Sequence, residues 1–242
     1  MPVLTGDILM HLSVNAGSSG GAMAGSTVTS GVTNNVWPDV SDGDRIAGGD
    51  LYRKTFWANE NEIDALLLPV VYCPVLPTSM ELSIGLGFDS SSDANPLQGN
   101  MTAFSAAALV EVVSDGADTR DVTIWGVDNA GDPVTEELTL NGDTPVLGAT
   151  TFATVYAMVA DGTSGSRTIE IRQGSGGTLR GSIPPNELCC WLWIVEPDAK
   201  GEGIALPDLG AGQSYGIWHR LSWLPDASPV RPNSLTTRIE EA

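Results

Sequence analysis

The sequence has little positive charge. Its 242 residues include 11 Lys and Arg against 30 Asp and Glu, which gives a formal net charge of −19 at pH 7. Proteins that bind nucleic acids or anionic membranes neutralise phosphates with clustered basic side chains. The largest such cluster here is the pair Arg53 and Lys54, so we expect neither partner. The acidity bears on solubility and on repulsion between copies rather than on the fold.

Cysteine and histidine are also scarce. The three cysteines, Cys73, Cys189 and Cys190, are an odd number and include an adjacent pair, which argues against a disulfide framework. They predict buried thiols in a protein made in a reducing cytoplasm. The only histidines are His11 and His219, and no CxxC spacing occurs, so no zinc site is predicted. We expect His219 to be a packed or interface histidine.

Long apolar runs are missing as well. No window approaches 18 consecutive apolar residues, so we expect no transmembrane helix. Residues 1–17 lack the basic start of a secretory signal, and their apolar run is interrupted.

One short motif matches a catalytic pattern. The residues GQSYG at 212–216 fit the nucleophile elbow, with Ser214 as the nucleophile. That motif works only on a tight turn between a strand and a helix. The residues that follow are strand-like and no histidine lies beyond His219, so we expect a chance match. No phosphate-binding loop is present, and the sequence predicts no catalytic or cofactor-binding residue and no enzyme.

Two acidic segments raise the question of calcium. Residues 41–50 (SDGDRIAGGD) and 89–96 (DSSSDANP) place carboxylates and carbonyls close together. Neither has the spacing of a calcium-binding loop, and turns favour Asp and Asn in any case. We predict no metal ligand, with calcium at these turns as the open alternative.

Alternating apolar residues predict many short strands. Residues 8–14 have the period of two that is typical of strands, and residues 51–59 are also predicted to form a strand. Residues 104–113 favour a strand, and 121–140 predict a hairpin with its turn at 128–133. The apolar run at 188–196 predicts a strand buried on both faces. No convincing helical period occurs, so the sequence predicts an all-β fold.

The N-terminal segment differs in composition from the rest. Residues 16–35 are almost entirely Gly, Ser, Thr and Ala, and they end at Val36-Trp37-Pro38. Such a composition is typical of a flexible linker. We predict an extended arm over 1–43, with one strand, that lies on a neighbouring subunit.

Seven tryptophans are the feature that composition explains least. They could stack on sugars, fill the core or anchor subunit interfaces. Trp191 and Trp193 have the spacing of one strand face, so we expect both in the core. Exposed, coplanar rings would favour a carbohydrate- or receptor-binding module, and buried rings would argue against it.

Three segments together resemble structural proteins of tailed bacteriophages. They are Asp44-Arg45-Ile46 running into LYRKTFWANEN and SIGLGFD, the hairpin VDNAGDPVTEELTLNG, and the terminal GIWHRLSWLP with LTTRIEE. The hairpin is similar to the β-sandwich modules of virion proteins. About half of the chain is covered.

The resemblance implies an architecture and a role. We expect two β-sandwich domains, Ig-like or jelly-roll-like, with the second at 100–182 inserted in a first made of 44–92 and 186–242. The implied protein is a building block made in the host cytoplasm. It assembles into a ring or lattice with copies of itself and other virion proteins, in a tail or baseplate rather than as capsid decoration. The family brings no catalytic residue.

The stretch LYRKTFWANEN then predicts an interface. On a strand, Arg53 and Trp57 point one way while Lys54 and Phe56 point the other, so both faces are mixed. We expect one face to cover the core and the other to meet an acidic neighbouring copy. The interface candidates are Trp37, Tyr52, Arg53, Lys54, Phe56, Trp57 and Trp218.

Overall fold

A computed structural model describes residues 3–15, 20–32, 34–227 and 235–241. It confirms the all-β prediction, because 49% of the chain lies in strands and 7% in helices. The described residues include a single α-helix, α1, which spans Asp42–Ala47. The strands are β1 (Ile8–Ser13), β2 (Met23–Thr27), β3 (Gly49–Asn59), β4 (Pro69–Val75), β5 (Glu81–Gly87), β6 (Ala108–Ser114), β7 (Asp121–Val127), β8 (Pro133–Thr139), β9 (Val146–Phe152), β10 (Thr154–Ala160), β11 (Ile169–Gln173), β12 (Thr178–Ile183), β13 (Cys189–Trp191), β14 (Ile194–Val195), β15 (Ile204–Ala205), β16 (Ser214–Trp223) and β17 (Thr236–Glu241).

The chain divides into two compact units. The first comprises Met1–Pro96, Ile194–Ile204 and Asp208–Ala242, and the second comprises Leu97–Trp193 and Ala205–Pro207. These bounds differ from the predicted ones at three places. Residues 1–43 belong to the first unit, and residues 186–193 and 205–207 belong to the second.

A six-stranded antiparallel sheet is the main element of the first unit. Its strand order is β14-β5-β16-β3-β1-β2, and β16 pairs along its whole length with β3, from Ser214 opposite Ala58 to Trp223 opposite Gly49. In the same unit β4 pairs with β17. Pro69 is the first residue of β4, where a missing amide hydrogen costs least.

The predicted arm is an extended segment with one strand, but the described residues in it form two strands of the six-stranded sheet. β1 pairs with β3 on one side and with β2 on the other. These parts of the segment are therefore built into the first unit by backbone hydrogen bonds within the chain itself. Composition misled here because β2, with the sequence MAGST, is held by its backbone rather than by apolar side chains.

The second unit contains two four-stranded antiparallel sheets, β13-β10-β7-β8 and β12-β11-β6-β9, which give a sandwich-type fold. The predicted hairpin is confirmed, with Asp121 of β7 opposite Thr139 of β8. Its turn is fixed by the Asp128 carboxylate, which accepts hydrogen bonds from the amides of Ala130 (2.8 Å) and Asp132 (3.1 Å).

Two predicted strands of this region differ in extent. The strand predicted at 104–113 begins only at Ala108. The run at 188–196 forms two short strands, β13 and β14, rather than one. Trp191 is fully buried and Trp193 half-buried, with their rings in edge contact at 5.8 Å. The chain leaves β13 after Trp191, so the two rings do not share a strand face.

The sheet edges of the second unit are bridged. At one side, Glu136 of β8 accepts hydrogen bonds from the amides of Ala149 and Thr150 in β9, at 2.6 Å and 3.2–3.3 Å. At the other side, the amides of Met101 and Thr102 bond to the carbonyls of Trp191 (3.1 Å) and Arg180 (2.7 Å). These contacts occupy edge groups that would otherwise be free to pair with another chain.

Candidate interface on the six-stranded sheet

The stretch LYRKTFWANEN lies on an inner strand of the six-stranded sheet. Residues 49–59 form β3, which has β16 on one side and β1 on the other. Successive side chains of a strand point to opposite faces of the sheet. Arg53, Thr55 and Trp57 therefore share one face, and Lys54 and Phe56 share the other. Directly opposite residues on neighbouring antiparallel strands point to the same face.

Lys54 is buried within the chain. Its side chain has no accessible surface, and its ammonium group donates three hydrogen bonds: to the carbonyls of Phe88 and Asp93, both at 2.7 Å, and to Oδ2 of Asp93 at 2.9 Å. The ammonium also lies 5.2 Å from the ring centre of Phe56 and 5.5 Å from that of Trp218. All three protons of the cation are thus satisfied in a dry, aromatic environment.

The partner carboxylate is equally well satisfied. Asp93 is fully buried, and its Oδ2 also accepts the Phe88 amide at 2.6 Å while its Oδ1 accepts Trp218 Nε1 at 3.0 Å. A buried ion pair is tolerated when the remaining lone pairs and protons find partners. The segment 88–93 is thereby fastened to β3 and β16.

The interface assignment is therefore wrong for Lys54, Phe56 and Trp218. Their exposures are 1%, 0% and 0%, and a side chain without accessible surface in the folded chain cannot contact a second molecule. Glycine makes this packing possible, because a Cβ at Gly20 would lie 2.5 Å from the Trp218 ring.

The opposite face carries Arg53. Its guanidinium lies 5.9 Å from the ring centre of Trp37 and donates to the carbonyls of Val36 (3.1 Å) and Tyr52 (2.7 Å). Among the described residues, no carboxylate lies within ion-pair distance of Arg53. Burial lowers the pKa of the Arg53 guanidinium. Val36 and Trp37, at the end of the Gly- and Ser-rich segment, thus contact Arg53 of their own chain.

Half-buried apolar side chains continue this face. Met10 of β1 lies directly opposite Trp57, and Leu12 lies opposite Thr55. Trp37, Arg53, Trp57, Met10 and Leu12 are all half-buried. We call these five residues the Arg53 face. It joins a cation to apolar surface that the described part of the chain leaves incompletely covered.

His219 lies on the same face, directly opposite Arg53, as a packed histidine. It is 1% exposed, and its Nε2 is 3.0 Å from the Thr55 hydroxyl. The Trp37 ring meets it edge-on at 6.4 Å. Nδ1 has no hydrogen-bond partner among the described residues. Burial lowers the pKa of His219 to about 4, so the ring is neutral near pH 7.

Tyr52 belongs to the polar end of the sheet. It is half-buried, and its pKa is raised by burial and then by the nearby Asp50 carboxylate. Directly opposite Tyr52 lies Arg220, which reaches Ser83 at 3.1 Å and Glu81 at 3.6 Å. Unlike Arg53, Arg220 is paired with a carboxylate of its own chain.

The GQSYG motif does not form a nucleophile elbow. Ser214 is the first residue of β16 and lies opposite Ala58. The motif therefore leads into a strand, whereas a nucleophile elbow leads into a helix. His219 lies five residues further along the same strand, about 16 Å away at the usual rise, and its Nε2 faces Thr55.

The cysteines are buried and free, as predicted. Burial raises the pKa of Cys73 to about 11 and raises that of Cys190 further still. A thiol in this condition is protonated near neutral pH and is a weak nucleophile.

The acidic segments have structural roles. Residues 42–47 form α1 instead of a turn, and Ser41 caps it by accepting the Asp44 amide at 3.1 Å. In the segment 89–96, the Asp93 carboxylate is taken up by Lys54 and Trp218. Within the described ranges, no group of three His, Cys, Asp or Glu side chains could hold a metal ion.

A shallow cleft of about 370 Å³ lies beyond the end of β3. It is lined by Met23, Ala58, Asn59, Glu60, Asn61, Glu62, Ala211 and Gly212. Asn59 donates to the carbonyls of Asp64 (2.9 Å) and Leu209 (3.0 Å), and Asn61 accepts the amides of Ile63 and Asp64. The two asparagines shape the loop that forms the cleft.

Comparison with known proteins gives no relative, since no family model, curated protein or solved structure matches the chain. In the part of the chain that the structure describes, no helix is long and apolar enough to cross a membrane.

Proposed function

We propose that this protein is a non-enzymatic structural subunit of a bacteriophage virion. It assembles into a ring or lattice with copies of itself and with other virion proteins, and a tail or baseplate position is preferred to capsid decoration. The support is the resemblance of three segments to virion proteins, together with the Arg53 face.

The observation that carries the proposal is the state of Arg53. Arg53 is half-buried, and among the described residues its guanidinium has two carbonyl oxygens and the Trp37 ring as partners but no carboxylate. Desolvation that no counter-charge offsets disfavours the charged form. The chain has 30 acidic residues against 11 basic ones, so almost any surface of a second copy offers a carboxylate. A neighbouring copy therefore supplies both the missing counter-charge and the cover for Trp57 and Met10.

Sugar binding has less support from the tryptophans. Trp191, Trp218 and Trp223 are buried, while Trp37, Trp57, Trp125 and Trp193 are half-buried. None of the seven is exposed as a stacking platform would require.

Arg53→Glu is expected to weaken self-association by roughly tenfold or more, because it places like charges at the contact. Sedimentation equilibrium over a range of protein concentrations measures the effect. Arg238→Glu is the matched control, since Arg238 lies on β17, is about half exposed and undergoes the same charge change. The interface would be refuted if the Arg53→Glu variant self-associated as strongly as the unsubstituted protein, or if the isolated monomer of the variant were unfolded.

Copy number in purified particles tests the virion assignment itself. Quantitative mass spectrometry giving hundreds of copies per particle would indicate capsid decoration. About three to twelve copies would indicate a connector or baseplate ring, as closed symmetry requires. Absence from particles would contradict the proposal.

A further inference from the structure

The loop that connects β3 to β4 places apolar side chains in solvent. Its sequence, at residues 60–68, is ENEIDALLL. Ile63 is 78% exposed, Leu67 is 54% exposed and Leu68 is 42% exposed. Single exposed apolar residues are ordinary, but three within six residues are typical of a surface that contacts another protein.

This loop has a fixed shape in the folded chain. Its first half is held by the two asparagines of the cleft, and Leu66 exchanges two backbone hydrogen bonds with Leu209, at 3.0 and 2.9 Å. The Leu68 amide donates to Asp208 Oδ1 at 2.9 Å, and Leu68 has a φ of +42°, a conformation that leucine rarely adopts. A surface that is fixed in advance loses little conformational entropy when it binds.

The loop also carries a carboxylate that matches Arg53. Glu62 is exposed, directly precedes Ile63 and forms no ion pair within the described ranges, whereas Glu60 lies 3.1 Å from His11. The Arg53 face has the opposite character, since it joins a cation without a carboxylate to half-buried apolar side chains. An acidic, apolar loop is therefore complementary to this basic, apolar face.

We propose that loop 60–68 of a second copy docks on the Arg53 face, with Glu62 of that copy paired to Arg53 and its Ile63 packed against Trp57 and Met10. The inference rests on the proposed function and names the part of the neighbouring copy that supplies the counter-charge. Loop and face are different surfaces, so a copy that receives a loop can place its own loop on a third copy. Such a contact repeats around a ring when the rotation closes.

Exchange of the two charges tests the pairing. Arg53→Glu and Glu62→Arg each place like charges at the contact, and we expect each to weaken self-association by roughly tenfold or more in sedimentation equilibrium. The double variant restores opposite charges, so it should associate at least about tenfold more tightly than Arg53→Glu alone. Arg53→Glu combined with Glu137→Arg is the control and should restore nothing. Glu137 is an exposed residue of β8, so its change corrects for the altered net charge.

Ile63→Ser tests the apolar part of the contact. The side chain is mostly in solvent, so the monomer keeps its fold, and loss of its burial between copies should weaken self-association by about tenfold. Leu224→Ser is the control, because Leu224 is 81% exposed and should have no effect on association.

The outcomes separate this contact from the proposed function. If Arg53→Glu weakens self-association but Glu62→Arg does not, the loop is not the partner, while the Arg53 face stands as an interface. A double variant as weak as Arg53→Glu, or an Ile63→Ser variant that associates like the unsubstituted protein, would also overturn the loop contact. If Arg53→Glu itself has no effect, the loop contact and the proposed interface fail together.

Discussion

Lys54→Met is expected to destabilise the first unit by about 3–5 kcal/mol, the usual cost of leaving one member of a buried ion pair alone. The substitution keeps most of the length of the side chain but removes the cation. It leaves the Asp93 carboxylate fully buried without its counter-charge, although Trp218 and the Phe88 amide still donate to it, and the carbonyls of Phe88 and Asp93 each lose one of their donors. Urea unfolding, with the transition assigned by exchange of the β16 amides, measures the loss.

The other lysine of the chain provides a matched control. Lys200 is half-buried in a short 3-10 helix, and Lys200→Met should change stability by about 0.5 kcal/mol or less. Adding Asp93→Asn to Lys54→Met removes the unpaired charge, so the double variant should be more stable than the sum of the single losses by about 2 kcal/mol. A loss below about 1 kcal/mol for Lys54→Met would contradict a buried charged pair.

The outcome for Lys54 shows where sequence patterns stop being informative. Alternation along a strand depends on neighbouring residues, and it correctly predicted β3, the β7–β8 hairpin and the all-β class. The partner of Lys54 lies 39 residues away in a segment of turn-forming residues. Nothing local distinguishes Asp93 from the other acidic turn residues, so its role appears only when the sheet brings the segment 88–93 over Trp218.

The failure of the predicted arm has a different cause. Residues 16–35 lack the apolar side chains by which strands are recognised. β2 nevertheless forms, because its backbone bonds to β1 and its Met23 amide bonds to Asp89. Composition describes what side chains can bury, whereas a strand at a sheet edge can be specified by backbone hydrogen bonds alone.

The predicted interface candidates are divided between the two faces of β3, and the Arg53 face also includes Met10 and Leu12, which the sequence did not single out. Alternation assigns Arg53 and Trp57 to one face and Lys54 and Phe56 to the other. It does not say which face the rest of the chain covers. Here the segment 88–93 covers the Lys54 side, and Trp37 covers only part of the Arg53 side.

Acidification from pH 7 to pH 4.5 is expected to cost the first unit about 2 kcal/mol through His219. Burial lowers its pKa to about 4 in the folded state, against 6.5 for the ordinary group. Below pH 6.5 the His219 side chain is therefore protonated in the unfolded chain but stays neutral in the folded chain. The free energy of unfolding falls by about 1.4 kcal/mol per pH unit until the pH approaches 4.

His219→Gln removes this titration. The variant should lose stability at pH 7, since the contact with Thr55 changes, but its free energy of unfolding should fall less steeply between pH 6.5 and pH 4.5. Carboxylates contribute equally in both proteins, so the difference between the two pH profiles isolates His219. His11→Gln serves as a control for losing a histidine on the same sheet. Parallel profiles for the wild type and His219→Gln would mean that the ring accepts a proton without unfolding, and that the cover formed by Trp37 opens readily enough to admit water.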